Sequence, residues 1–318
     1  MKSPLLQLPG AVQADAPDDG VAWHYGEPSQ EQRALAQGTG FTDRSNRGVI
    51  RIEGSDRLRW LHSMLTQHLE GLRPHEPTES LILSPNGHIE HHLELVDDGE
   101  AVWAHVEPGT AAALVEFLEK MKFMLRVEVA DVTESYAVVN GAAEGLRVLR
   151  GDVLVPRAEL AVPGGLRPAG LWAYEALRIA DHRPRLGFET DHRTIPNEVG
   201  WLDSAVHLNK GCYRGQETVA RVHNLGRPPR RLVFLHLDGS VDHLPVHGDP
   251  VELDGRQVGF VGSAARHHEL GPIGLALVKR NVPVEAGLLA GGVAAAQEVV
   301  VDPDAGIHVQ VDVRRHRA

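Results

Sequence analysis

The chain of 318 residues contains one cysteine, Cys212. That excludes an internal disulfide, and any zinc or iron–sulfur site needing two cysteines of one chain. The expected compartment is a reducing cytoplasm. Long apolar runs are missing too: nothing approaches the ~20 residues that cross a bilayer, so no membrane association is expected. The opening "MKSPLLQLPGAVQADAPDDG" has no apolar core of signal-peptide length and is rich in Pro, Asp and Gly. It is expected to be a mobile arm over residues 1–22. Positive charge is in the minority, with 32 Lys and Arg against 43 Asp and Glu and a net charge of −11. Direct nucleic-acid binding is therefore not expected; the basic "RPPRR" at 227–231 is read as a linker between units. There is no repeat and no low-complexity tract. No Ser-based nucleophile elbow occurs, and "VPGGLRPAG" lacks the strand and helix of a phosphate-cradling loop.

What is present divides into three textures. "GVIRIEG" reads as a strand, after which Ser55 is expected to cap a helix with Leu58, Leu61 and Leu65 on one face. From Ser80 the pattern is strand, turn, strand, with "PNG" and "DDG" carrying the hairpin signal. Leu114, Leu118, Met121 and Leu125 then form a helical stripe, and "RVEVADV" reads as a strand. Together these predict a ferredoxin-like unit. The middle of the chain mixes strands with a helix around "LWAYEALRIADH", and the short β-rich runs after residue 231 suit a small barrel.

Three constellations carry chemistry. The first is "KGCYRGQE" at 210–217, where Lys210 and Arg214 flank Cys212 and a helix is expected just beyond it. Cations and a helix N-terminus favour a thiolate nucleophile; the competing reading is a small buried apolar residue. The second is His88, Glu90 and His92, which alternate onto one strand face and offer metal-ligand chemistry. With 19 histidines in the chain neighbours arise by chance, so no metal site is assigned there or at His267 and His268. The third is a stripe of Tyr174, Arg178 and Asp181 at i, i+4 and i+7. It offers a ring to stack on, a guanidinium for an anionic tail and a carboxylate for ring N–H donors. The alternative is a surface stripe with an internal ion pair.

"KGCYRGQE" resembles the signature of the YgfZ family of folate-binding proteins, relatives of the glycine-cleavage T-protein (aminomethyltransferase). "FTDRSNRGVIRIEGSDRLRWL", "TIPNEVGW" and "GPIGLALVKRNV" resemble other blocks of that family. The resemblance implies an α+β fold of three domains around a central tetrahydrofolate pocket. The expected units are a discontinuous folate-binding domain over 23–54 and 136–228, a ferredoxin-like insertion over 55–135, and a C-terminal β-barrel over 229–318. It further implies support of iron–sulfur enzymes, including those that modify tRNA. The implied partners are those enzymes or their assembly machinery. Cys212 and Lys210 become the functional pair, and Arg47, Tyr174, Tyr213 and Gln216 are grouped with the folate contacts.

Two departures bear on mechanism. His91 and His92 stand where T-proteins carry an acidic pair, so aminomethyl transfer is not expected. Ala180 replaces a glutamate common among relatives, leaving Asp181 or Glu198 as the ring-binding acid. A true aminomethyltransferase and a non-catalytic folate-dependent scaffold are the competing functions.

Overall fold

The computed structural model describes residues 1–306. The final residues of the expected barrel unit, 307–318, lie outside the described residues. Three bodies share the chain.

The first is a sheet whose strands run in the spatial order Leu146–Arg147, Asp152–Pro156, Tyr136–Gly141, Gly40–Asp43 and Arg167–Ala169. Only the last pair is parallel. Helix α1 (Pro28–Ala36) lies beside it.

The second is an antiparallel sheet of five strands ordered Thr78–Leu83, Ile89–Asp97, Ala101–Val106, Gly48–Glu53 and Glu128–Asp131. "PNG" and "DDG" turn the chain between its strands, with Gly87 and Gly99 at positive φ. Helices α2 (Arg57–Met64) and α3 (Ala111–Met121) cover one face. Trp60, Leu61, Leu114 and Leu118 bury against Ile50, Ile52, Leu93 and Leu95. Strand alternation sends Val49, Val96 and Trp103 to the opposite face, where they meet Val138, Val148 and Leu154 of the first sheet.

This sheet corrects three expectations. The "GVIRIEG" strand pairs within it, so the seam between the first two bodies falls ahead of Gly48 rather than after Gly54. The cap position of α2 is Asp56, not Ser55. Helix α3 ends at Met121, and Phe123 at φ +46° turns Met124 and Leu125 into solvent instead of continuing the apolar stripe.

The third body is a closed six-stranded barrel built from Arg230–Leu237, Pro250–Leu253, Arg256–His267, Gly271–Lys279, Leu288–Ala290 and Val293–Val299. Val233, Leu235, Val261, Ala276 and Val278 fill its interior. Its outer residues Leu232, Phe234 and Leu275 pack on Ala176 and Ile179 of helix α4 (Leu171–Ala180). Helix α4 also contacts α1, so it is the wedge that joins barrel and first sheet. Two further helices, the short α5 (Trp201–Ser204) and α6 (Gln216–Leu225), lie in the connecting segment.

The N-terminal segment is packed, not a loose arm. Ser3, Leu5, Ala14, Asp18 and Val21 are buried, and Val12–Gln13 pairs with Ala22–His24.

Candidate functional site

A cavity of about 280 Å³ opens where the bodies meet, lined from α4, from the strand edges of the second sheet and from α5. Helical spacing aims Tyr174 and Arg178 of α4 into it. The guanidinium of Arg44 lies 4.2 Å from the centre of the Tyr174 ring, and that of Arg183 lies 5.6 Å from it. Burial raises the Tyr174 hydroxyl above its ordinary value.

Most of the lining arginines are already paired. Arg44 pairs with Asp152. Arg47 donates to His105 Nδ1 at 2.9 Å and to Glu107 at 2.8 Å. Arg185 bridges Glu107 and Asp18, gripping the latter through two bonds of 2.7 and 2.8 Å. Arg150 donates to Glu79 at 2.6 Å and Glu94 at 3.2 Å. Arg178 donates to Glu175, Glu189 and Ser263. Burial alone would raise the Glu79, Glu107 and Asp152 carboxyls, but their cationic and hydrogen-bonding partners hold all three well below the usual carboxylate range. Removing one partner of such a buried pair costs about 3–5 kcal/mol, because the other charge is left uncompensated.

Three lining groups keep capacity for a ligand. Glu94 and Glu175 each give one carboxylate oxygen to arginine, and the other takes no hydrogen bond from the described residues. Arg183 pairs only with the exposed Asp181, at 3.4 Å. A ring face, two open acceptors and an available cation can hold a flat, N–H-bearing heterocycle with an anionic tail.

Of the residues singled out from sequence, Arg47, Tyr174 and Arg178 line this cavity. Asp181 does not: it follows the last turn of α4 and faces solvent beside Arg183. Glu198 is also elsewhere, sealed beneath Arg230 with its second oxygen receiving the Ile195 N–H. Tyr213 packs in an apolar cluster with Leu81, Leu83 and Trp201. Gln216 reaches only the Lys210 carbonyl, at 3.5 Å.

Lys210 and Cys212 occupy a different place. The Lys210 ammonium donates to the carbonyls of His62, Leu65 and Gln67, closing the end of α2, and burial pushes it down to about 8. Arg214 turns to Glu90 at 3.0 Å and lies over Phe117. Each cation flanking the cysteine in sequence therefore has another partner in space. Cys212 itself is exposed. It borders a second cleft of about 470 Å³ with Trp60, His62, Glu70 and Leu125, which shares no lining residue with the central cavity.

The histidines diverge as well. Glu90 faces Arg214 at the surface. His92 is buried in the central cavity against Glu79 and Trp201. Hence His88, Glu90 and His92 do not form a ligand cluster among the described residues. Glu94, His105 and Asp152 do converge, within 4.8 Å, yet Arg150 and Arg44 already supply positive charge to their carboxylates.

Sequence reasoning missed Arg44, Glu94, Glu175 and the Asp18–Arg185 pair. Glu175 had the one local signal, standing beside Tyr174 on a helix already read as a binding stripe. The others come from segments far apart in sequence and meet only through folding.

A discontinuous α+β chain ending in a six-stranded barrel, with a polar cavity where its three bodies join, has the architecture of a glycine-cleavage T-protein. Comparisons agree. Residues 230–317 match the glycine cleavage T-protein C-terminal barrel domain. The crystal structure of the glycine cleavage system aminomethyltransferase T from Bartonella henselae superposes with a TM-score of 0.77, covering 95% of this chain and 97% of that one at 16% identity. The aminomethyltransferase of Geobacillus kaustophilus is 27% identical over 80% of this chain and 82% of its own. A chloroplastic protein of Arabidopsis thaliana, provisionally named a transferase, is 26% identical over 83% of this chain and 71% of its own. A mitochondrial iron–sulfur cluster assembly factor IBA57 homolog from Mycosarcoma maydis is 24% identical over 64% of this chain and 59% of its own. No helix among the described residues is long and apolar enough to cross a membrane.

Proposed function

We propose that the central cavity binds a reduced folate and that the chain supports assembly or repair of iron–sulfur enzymes, including tRNA-modifying ones, rather than aminomethyl transfer. The observation that carries this reading is the lining itself: the Tyr174 ring beneath Arg44, open carboxylate oxygens on Glu94 and Glu175, and Arg183 at the edge. Tetrahydrofolate fits that donor set. Its pterin presents a flat face to Tyr174 and ring N–H groups to the carboxylates, while its glutamate tail matches Arg183. About 280 Å³ lies just below the usual range for ligand cavities, so the bicyclic head goes inside and the tail outside. When bound, folate supplies the one-carbon chemistry; the protein orients it and excludes water. Two further features support the iron–sulfur side: the similarity to the IBA57 homolog and the resemblance of "KGCYRGQE" to the YgfZ signature.

The histidines separate this reading from aminomethyl transfer. His92 reaches the cavity as an imidazole bonded to Glu79, and a ring that carries no negative charge does not favour positive charge on a folate nitrogen as a carboxylate does. Cys212 belongs to the proposal as an exposed thiol in a second cleft, placed to meet a partner rather than the folate.

Calorimetric titration with tetrahydrofolate tests the central claim. Arg183→Ala is expected to weaken binding by the ~1.5–3 kcal/mol of a lost charge-assisted bond, with the fold intact. No binding at millimolar ligand removes the folate assignment. Turnover with glycine-cleavage partner proteins restores the aminomethyltransferase reading.

A further inference from the structure

His92 and Glu79 form a dyad with one open end. His92 pairs across the sheet with Leu81, and Glu79 lies two residues along the same strand, so the two side chains are diagonal neighbours on one face. His92 Nε2 lies 2.8 Å from Glu79 Oε2, and the other Glu79 oxygen receives Arg150 at 2.6 Å. The imidazole stacks on Trp201 with ring centres 4.5 Å apart. Two partners thus hold the ring, one at its edge and one at its face.

That arrangement settles which nitrogen carries the proton. Glu79, bonded to a guanidinium and an imidazole, is an anion and can only accept. His92 Nε2 must therefore donate to it, and in the neutral ring the lone pair sits on Nδ1. Nδ1 has no partner among the described residues, although the side chain is only 6% exposed and lines the cavity. An acceptor that opens on the cavity with no protein donor is available to a ligand.

We propose that His92 Nδ1 is the cavity's proton acceptor toward its ligand, receiving a hydrogen bond from an N–H or O–H of the bound heterocycle, with Glu79 as the positioning residue that fixes the tautomer. The proposal rests on the folate reading of this cavity and adds a requirement to it. The ligand must present an N–H or O–H donor to the Nδ1 lone pair.

The test is calorimetric titration of the full chain and two His92 variants with tetrahydrofolate. His92→Gln keeps an amide donor for Glu79 and a carbonyl acceptor for the ligand, and is expected to retain the native affinity within a few-fold. His92→Phe keeps a ring on Trp201 without either nitrogen, and should bind about tenfold more weakly, the loss of one hydrogen bond. A His92→Phe variant that binds as tightly as the native protein would overturn the proposal while the folate reading stands. Failure of the native protein to bind tetrahydrofolate would overturn both.

Discussion

Lys210 shows how a side chain's neighbours in space can replace its neighbours in sequence. Two positions from the cysteine it reads as an activating cation; folded, its three N–H donors meet the three carbonyls of His62, Leu65 and Gln67. Those carbonyls lie at and just beyond the end of α2, where they have no helical partner of their own. Lys210→Ala is therefore expected to lower stability by ~1–3 kcal/mol, the cost of buried acceptors losing their donor. Cys212→Ser at the exposed neighbouring site should stay within ~0.5 kcal/mol. Urea midpoints of the two variants decide the matter, and equal destabilisation would contradict the capping role. Arg178 has changed role in the same way. It lines the cavity, but its donors are committed to Glu175, Glu189 and Ser263, so it tethers α4 to the barrel, and the tail of the proposed folate falls to Arg183.

At the scale of elements, the second glycine of "KGCYRGQE" has a structural reason alongside any functional one. Gly215 precedes α6 at φ +81°, and a Cβ there would sit 2.6 Å from the Ser84 carbonyl oxygen and 2.8 Å from Gly87 Cα. Gly87 is in turn closed in by Thr218 of α6, 2.8 Å from where its own Cβ would be. The start of α6 and the "PNG" turn of the second sheet thus approach backbone to backbone, which only paired glycines permit. Gly215→Ala should cost more than the ~1 kcal/mol of a left-handed alanine alone, because the turn must also move. A thermal melt unchanged by this substitution would show that the two segments do not touch. Helix α4 works similarly across two interfaces: Ala176 and Ile179 serve the barrel while Tyr174 serves the cavity.

At the scale of the whole molecule, the seam between bodies is charged where it lines the cavity. Glu79, Glu107 and Asp152 are buried there with carboxyls held far below their unfolded values. For a depressed carboxyl the sign of the pH effect follows directly. Its stabilising share is complete above the unfolded value of ~4 and is lost as pH falls toward the folded value. Stability is therefore expected to hold from about pH 7 to about pH 5 and to fall steeply below ~4. Denaturant midpoints across that range measure it, and a flat profile down to about pH 3 would mean the pairs are not closed in solution.

Much of this molecule was set by local sequence alone. Periodicity and turn chemistry determined the hairpins at "PNG" and "DDG", the helices around Leu61, Leu114 and Tyr174, and the β-rich C-terminal body, because each depends on residues within one or two turns of chain. The motif match extended that to the T-protein-like architecture. Partnership was decided only by the tertiary structure. Asp181 and Glu198 were the acids in view from sequence, yet Glu94 and Glu175 keep the open oxygens, since whether a carboxylate is free depends on which arginines fold against it. The supposed mobile arm supplies Asp18 to Arg185, a contact between residues that periodicity cannot connect. Cys212 and the cavity, joined in the sequence reading by one motif and one resemblance, lie in separate clefts, because the close approach of Gly215 to Gly87 fixes the motif against the "PNG" turn while Cys212 opens beside Trp60 and His62.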